Sequence, residues 1–309
     1  MMTMTLIAAR GVEKTYRSWR RRIPALAGVD LDVHQGEVFG LIGPNGAGKT
    51  TLLTCLLGLQ RPDRGTIAVA GRAADDLAVR ARTGYLPERL GFDRELTGQD
   101  FLRQHARLAG LGEREVAPSL RQARERVQIA EEALRRPLRT YSRGLLQRIG
   151  LAQALFRAPD LLFLDEPASG MDPIGVALVR EVILEERARG STVVLNSHQL
   201  PEVERVCDRV AFIARGHVER VEVLRDPSRA TETWEARVGT GQQDAALATL
   251  RGAGLAVAGQ GEDRIRLELT PAELARVAPV LVGAGLALLG LAPATARLEG
   301  LFGNGGRDG

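Results

Sequence analysis

The sequence predicts an α/β domain followed by a smaller α+β unit, and three observations carry that prediction. The apolar run Val38–Ile42 opens directly into the glycine-rich stretch Gly43-Pro44-Asn45-Gly46-Ala47-Gly48-Lys49-Thr50-Thr51. A second apolar run, residues 161–164, ends on two carboxylates, Asp165 and Glu166. After about residue 227 the signals fall in the order β-α-β-β-α-β, that of a ferredoxin-like unit.

Residues 6–12 and 28–33 read as β-strands before the glycine-rich stretch. Tyr16 follows the first strand, where its ring is placed either to stack on a purine or to pack as a surface tyrosine. Ser18-Trp19-Arg20-Arg21-Arg22 reads as a basic, solvated loop, with lipid headgroups or a partner protein as rival contacts.

The stretch 43–50 matches G-x-x-x-x-G-K-[ST], a phosphate loop between strand and helix. Its glycines let the backbone take positive φ and approach a phosphate closely. Successive N–H groups then form an anion nest at the start of a helix over residues 50–57. Lys49 adds a point charge for the β- and γ-phosphates, and the Thr50 hydroxyl is a Mg²⁺ ligand. The chain holds 42 Lys+Arg, yet Lys14 and Lys49 are its only lysines. A compact ammonium fits a phosphate cradle where a planar guanidinium does not, so Lys49 is informative. Lys14 has no such reason and is expected to be a solvated surface residue.

Residues 61–65 read as a turn, 66–69 as a strand, and 83–86 as a buried strand leaving at Pro87-Glu88. From about residue 90 to 160 a mostly helical insertion is expected, punctuated by Gly110, Gly112 and Pro118. Ser142 is placed to cap a helix running to residue 156. With Arg143 and Gly144 it forms a second candidate anion site. The strand 161–164 delivers Asp165 and Glu166 to the sheet edge where ligands bind in α/β proteins. Asp165 can hold Mg²⁺ there, and Glu166 can orient a water attacking the γ-phosphate. A tight turn at residues 169–173 precedes a helix over 176–189. The strand 192–197 then carries His198 to the same edge, within reach of the γ-phosphate. Residues 210–213 and 218–221 read as a closing hairpin.

Composition narrows the function classes. A formal charge of +4 with pI about 9.5 is mildly basic, and aromatics make up only 4% of the chain. A base-stacking nucleic-acid platform is disfavoured. Cys55 and Cys207 lack metal-ligand spacing and read as reduced core thiols. The first ten residues lack the apolar core of a signal peptide. Residues 277–296 carry no charge, but Pro279, Gly283, Gly285, Gly290 and Pro293 interrupt them. A helix ending near Gly283 and a strand over 286–291 suit them better than a membrane span.

Taken in order, the phosphate loop, the stretch 141–147, the acidic strand, the 169–172 turn and His198 resemble the ATP-binding subunits of ABC transporters. The resemblance covers about residues 6–225. It implies a P-loop NTPase domain over residues 1–226, with an N-terminal antiparallel β subdomain and the helical insertion. It implies ATP and Mg²⁺, and two copies meeting head to tail. Each ATP would lie between one phosphate loop and the partner's Ser142, Arg143 and Gly144. It implies a separate membrane-spanning transporter subunit as partner, a cytoplasmic position on the inner face of the membrane, and no nucleic acid. In place of L-S-G-G-Q the sequence reads Tyr141-Ser142-Arg143-Gly144-Leu145, and Glu88 stands at the usual glutamine that would hold Mg²⁺. Such variants resemble bacterial exporter ATPases. Their small C-terminal domain is similar to residues 227–302, and their terminal motif to residues 298–302. Residues 303–309 are expected to be a disordered tail. Two rivals remain: an ATP-driven ribosome or nucleic-acid factor, which usually carries a second phosphate loop or a coiled coil, and a regulatory nucleotide-binding module.

Overall fold

A computed structural model describes residues 4–18, 21–91, 93–225 and 232–293. Two compact units divide the chain, residues 1–224 and 225–309.

The first unit opens with an antiparallel sheet. Strands β1 (Thr5–Ser18) and β2 (Arg21–His34) pair along their length, and β1 also pairs with β4 (Arg64–Val69), which carries the short β5 (Arg72–Ala73). Both long strands exceed the sequence reading. Register shifts between Ala9/Val12 and Lys14/Thr15 let the ladder bend and continue. The expected basic loop is thereby reduced to a hairpin closed by the pair Ser18↔Arg21; Trp19 and Arg20 lie outside the described residues. Lys14 is not a solvated residue. Its Nζ donates to Arg61 O at 2.6 Å and pairs with Asp63 Oδ1 at 3.1 Å. It thereby fastens β1 to the turn that follows the first helix.

The second sheet has six strands in the order β10-β9-β3-β8-β7-β6. Its members are β3 (Val38–Ile42), β6 (Thr83–Leu86), β7 (Leu161–Asp165), β8 (Thr192–Asn196), β9 (Arg209–Ala214) and β10 (His217–Val223). All pairings are parallel except that of β10, so β9 is an integral parallel strand as well as half of the expected hairpin. Every residue of β3, β7 and β8 is buried, as near-continuous apolar parallel strands require. Ile7, Val29, Phe39, Leu52, Leu53 and Phe163 share one core, which joins both sheets to helix α1 (Lys49–Leu56).

Between the strands lie α2 (Leu77–Arg80), α3 (Gly98–Leu108), α4 (Glu113–Arg126), α5 (Glu131–Leu134), α6 (Arg143–Ala154), α7 (Pro173–Ala188) and α8 (Leu200–Val206). Helices α3 to α6 form the expected helical insertion. Thr97 caps α3 through the Asp100 N–H, and Gly110 takes a positive φ just beyond its end. Pro118 does not punctuate; it sits at the sixth position inside α4, which continues through it to Arg126 without the one backbone hydrogen bond that a proline nitrogen cannot donate. Helix α7 starts three residues before the sequence reading, because Asp172 caps it and Pro173 suits its first position. The insertion is anchored to α7 by Glu186, which is fully buried. Its carboxylate pairs with Arg126 Nη2 at 2.7 Å and Arg189 Nη1 at 3.0 Å, and accepts from Ser191 Oγ at 3.1 Å.

The second unit holds β11 (Glu232–Val238), α9 (Gln243–Gly252), β12 (Ala256–Gln260), β13 (Arg264–Leu269), α10 (Pro271–Gly283) and β14 (Leu288–Pro293). Its sheet is antiparallel in the order β12-β13-β11-β14, the ferredoxin-like arrangement. Ile265, Leu267 and Leu269 alternate into a core with Leu250, Val277 and Leu281. Among the described residues no helix is long and apolar enough to cross a membrane. Residues 298–302 and the tail 303–309 lie outside the described residues.

Candidate active site

The parallel register aligns the C-terminal ends of β3, β7 and β8, with Leu41 and Asp165 both opposite Asn196. The phosphate loop, Asp165-Glu166 and His198 therefore leave the sheet at one edge.

Within the loop, Gly43 has φ 154° and Gly48 φ 104°. A Cβ on Gly43 would sit 2.1 Å from Ile213 O, and one on Gly48 2.3 Å from Ala25 O. Neighbouring backbone thus excludes any side chain at either position. Gly46, with φ 79°, meets nothing within 4 Å; Pro44, Asn45 and Gly46 form the exposed lip and Ala47 the buried floor. Helix α1 begins at Lys49 with no side-chain cap on its first amides and no acidic residue in its first turn, an end suited to an anion. Lys49 is 8% exposed. Its ammonium arches back to donate to Gly43 O at 2.8 Å and Pro44 O at 3.0 Å. Burial lowers its pKa, opposed by the carboxylates of Glu166, Asp165 and Glu88.

Asp165 is 1% exposed and accepts from Asn196 Nδ2 at 2.5 Å. Burial raises its pKa, the Asn196 hydrogen bond works the other way, and Glu88 and Glu166 push it further up. Glu166 stands in the left-handed region at φ 50°. Its N–H donates to Asn196 O at 2.8 Å, and Oε2 lies 2.7 Å from His198 Nδ1. Glu88 is exposed just beyond β6, close enough to weigh on the charge of Lys49 and Asp165. Tyr16 presents a 40% exposed ring, while its hydroxyl donates to Gln60 Oε1 at 2.7 Å and meets Thr51 Oγ1 at 3.3 Å. The ring is thus tied to the first turn of α1.

Ser142 caps α6, its Oγ accepting from Leu145 N at 3.2 Å. Arg143 lies against Gly170, and Gly144 faces Met171. Among the described residues, no hydrogen bond or ion pair joins residues 142–144 to the Lys49 loop. Charge interactions and hydrogen bonds link Lys49, Asp165, Glu166, Glu88 and His198, and Tyr16 meets Thr51.

Sequence reasoning missed Asn196, a buried amide closing an apolar strand beside Asp165. Its own Oδ1 has no hydrogen-bond partner among the described residues, so a donor arriving at this edge would find an acceptor ready. Also among the described residues, no three His, Cys, Asp or Glu side chains form a cluster able to hold a metal. Thr50, Asp165 and Glu88 instead offer hard oxygens. That set fits Mg²⁺, which binds through one or two carboxylates together with substrate phosphates.

The family model described as "ABC transporter" matches residues 26–169. The daunorubicin resistance ATP-binding protein DrrA3 of Streptomyces coeruleorubidus is 39% identical over 219 residues, covering 70% of this chain and 68% of that protein. The chain belongs to the ABC transporter ATP-binding proteins. An uncharacterized ABC transporter ATP-binding protein of Nostoc sp. is 42% identical over 70% of this ABC chain, which spans only 66% of that relative's length. Nod factor export ATP-binding protein I of Burkholderia orbicola is 37% identical, with 70% of each chain covered. Among solved structures, a dimeric bacterial ABC transporter cassette superposes with a TM-score of 0.67 over 71% of this chain and 99% of its own. At 23% identity it shows the fold of the ABC domain alone.

Proposed function

We propose that this chain binds ATP with Mg²⁺, hydrolyses it, and powers export by a separate membrane-spanning subunit. The observation that carries the reading is the meeting of Lys49, Asp165, Glu166 and His198 at one sheet edge. The backbone N–H groups of residues 43–51, Pro44 excepted, and the Lys49 ammonium hold the phosphates, and the Tyr16 ring stacks on the base. Thr50, Asp165 and Glu88 would hold Mg²⁺, which would supply positive charge against the phosphate oxygens. Glu166 orients the attacking water, and His198 steadies that carboxylate while facing the γ-phosphate. Asn196 occupies one oxygen of Asp165 and leaves the other for the metal.

Ser142, Arg143 and Gly144 lie outside this cluster, which supports a role toward the nucleotide of a second copy docked head to tail. The dimeric cassette with the same fold supports that assembly. The relative named for Nod factor export supports the direction of transport. A cavity of about 300 Å³ lined by Leu90, Gly91, Arg94, Leu138 and Leu146, beyond Glu88 and against α6, supports docking of the membrane subunit there. The chain then sits on the inner face of the membrane through that subunit. Residues 1–226 act as the engine, and residues 227–302 are an accessory domain.

The test is Glu166→Gln. Turnover of Mg-ATP falls by about 10²–10⁴-fold, the range for loss of a positioned base, while ATP affinity is retained. Undiminished turnover refutes the assignment.

A further inference from the structure

Gln147 lies in the second turn of α6, 5% exposed, and the mechanism above gives it no task. Its Nε2 donates to the main-chain oxygen of Glu166 at 3.0 Å. That choice of acceptor is informative because of how Glu166 is held. A φ of 50° is uncommon for a residue with a side chain, and it persists only where the surroundings over-determine it. Three hydrogen bonds do so here. The Glu166 N–H donates to Asn196 O at 2.8 Å, and its carbonyl accepts from Ser169 N at 3.0 Å as well as from Gln147. The first two are main chain to main chain, so no side-chain replacement removes their groups. The third is the side-chain contribution, and it comes from a helix 19 residues away in sequence.

We propose that Gln147 is a positioning residue for ATP hydrolysis: its amide fixes the Glu166 peptide unit and thereby aims the Glu166 carboxylate at the attacking water. The inference rests on the reading of Glu166 given above. It assigns Gln147 no contact with ATP. Because Gln147 shares α6 with Ser142, Arg143 and Gly144, the same bond also joins that turn to the base.

Two replacements in the full-length chain separate aiming from mere packing. Gln147→Met keeps length and loses the donor. Gln147→Glu has a donor only while its carboxyl is protonated, which burial beside a carbonyl oxygen favours. Gln147→Met is expected to lower kcat about tenfold with KM for ATP within about twofold, since a small misplacement of a reacting group is costly. The kcat of Gln147→Glu, divided by that of the wild type, is expected to climb as pH falls from about 8.5 to about 6, as its donor returns. The same ratio for Gln147→Met stays flat. A wild-type kcat for Gln147→Met, or a Gln147→Glu ratio that does not change with pH, overturns the proposal. If Gln147→Met does not fold, the Gln147→Glu ratio decides alone. Glu166→Gln is measured alongside. If it turns over normally, the reading of the base has failed; if it is inactive while the Gln147→Glu ratio is flat, only the role of Gln147 has failed.

Discussion

His198 and Glu166 show how much rests on single contacts at this edge. The 2.7 Å bond between Nδ1 and Oε2 holds the carboxylate in place while the imidazole remains largely exposed, free to reach a ligand. Replacing His198 with Ala should lower kcat at least about tenfold and leave KM for ATP little changed, because the lost group acts on the base and the transferred phosphate. A matching rise in KM would assign the residue to ground-state binding instead. The two thiols make a contrasting case. Cys55 and Cys207 are both buried, and burial pushes the Cys55 thiol up to about 11. A raised pKa leaves little thiolate below that pH, so alkylation of native Cys55 at pH 8 should be slow, speeding up only as pH nears 11. Labelling in urea, where the ordinary thiol pKa returns, should be fast; rapid labelling of the folded chain would contradict this.

Among elements, the strands bearing the site were legible because their signals are local. Val38–Ile42 and residues 161–164 are unbroken apolar runs next to their functional residues, and Asp172 with Pro173 announces α7. Asn196, Gln147 and Lys14 were not legible in the same way. Each is defined by a partner far along the chain: Asp165 for Asn196, Glu166 for Gln147, and the Arg61 carbonyl for Lys14. Polar residues of this kind look solvated until the fold supplies the acceptor. The close fit of β6 against α6 was equally hidden. A Cβ at Gly84 would fall 2.0 Å from Ala154 O and 3.0 Å from Leu162 Cδ1. Backbone cannot step aside as a side-chain tip can. Gly84→Ala should therefore destabilise the chain by about 1–3 kcal/mol, the usual cost of overpacking, read as a lower melting temperature. An unchanged melt would mean that α6 shifts freely over β6.

On the scale of the whole molecule, the proposed site is divided. Lys49, Asp165, Glu166 and His198 belong to one cluster, and residues 142–144 to another. A second copy would complete both at once. Glu166→Gln protein should therefore sediment as a species of twice the chain mass when ATP is present and as a single chain without it; a single chain in both conditions would refute the paired assembly. Closure of that kind needs the helical insertion to keep its bearing on the rest of the domain. The clasp formed by Glu186, Arg126 and Arg189 helps to supply it, and the physics of that clasp differs from that of an exposed ion pair. Dissolved salt screens a carboxylate that touches no solvent much less than an exposed one. The hydration that Glu186 and most of Arg126 give up also becomes less favourable on warming, so their burial costs less when hot; Arg189 keeps part of its side chain in water. The bond from Arg126 to Glu186 therefore weakens less in brine and in heat than the exposed arginine pairs do.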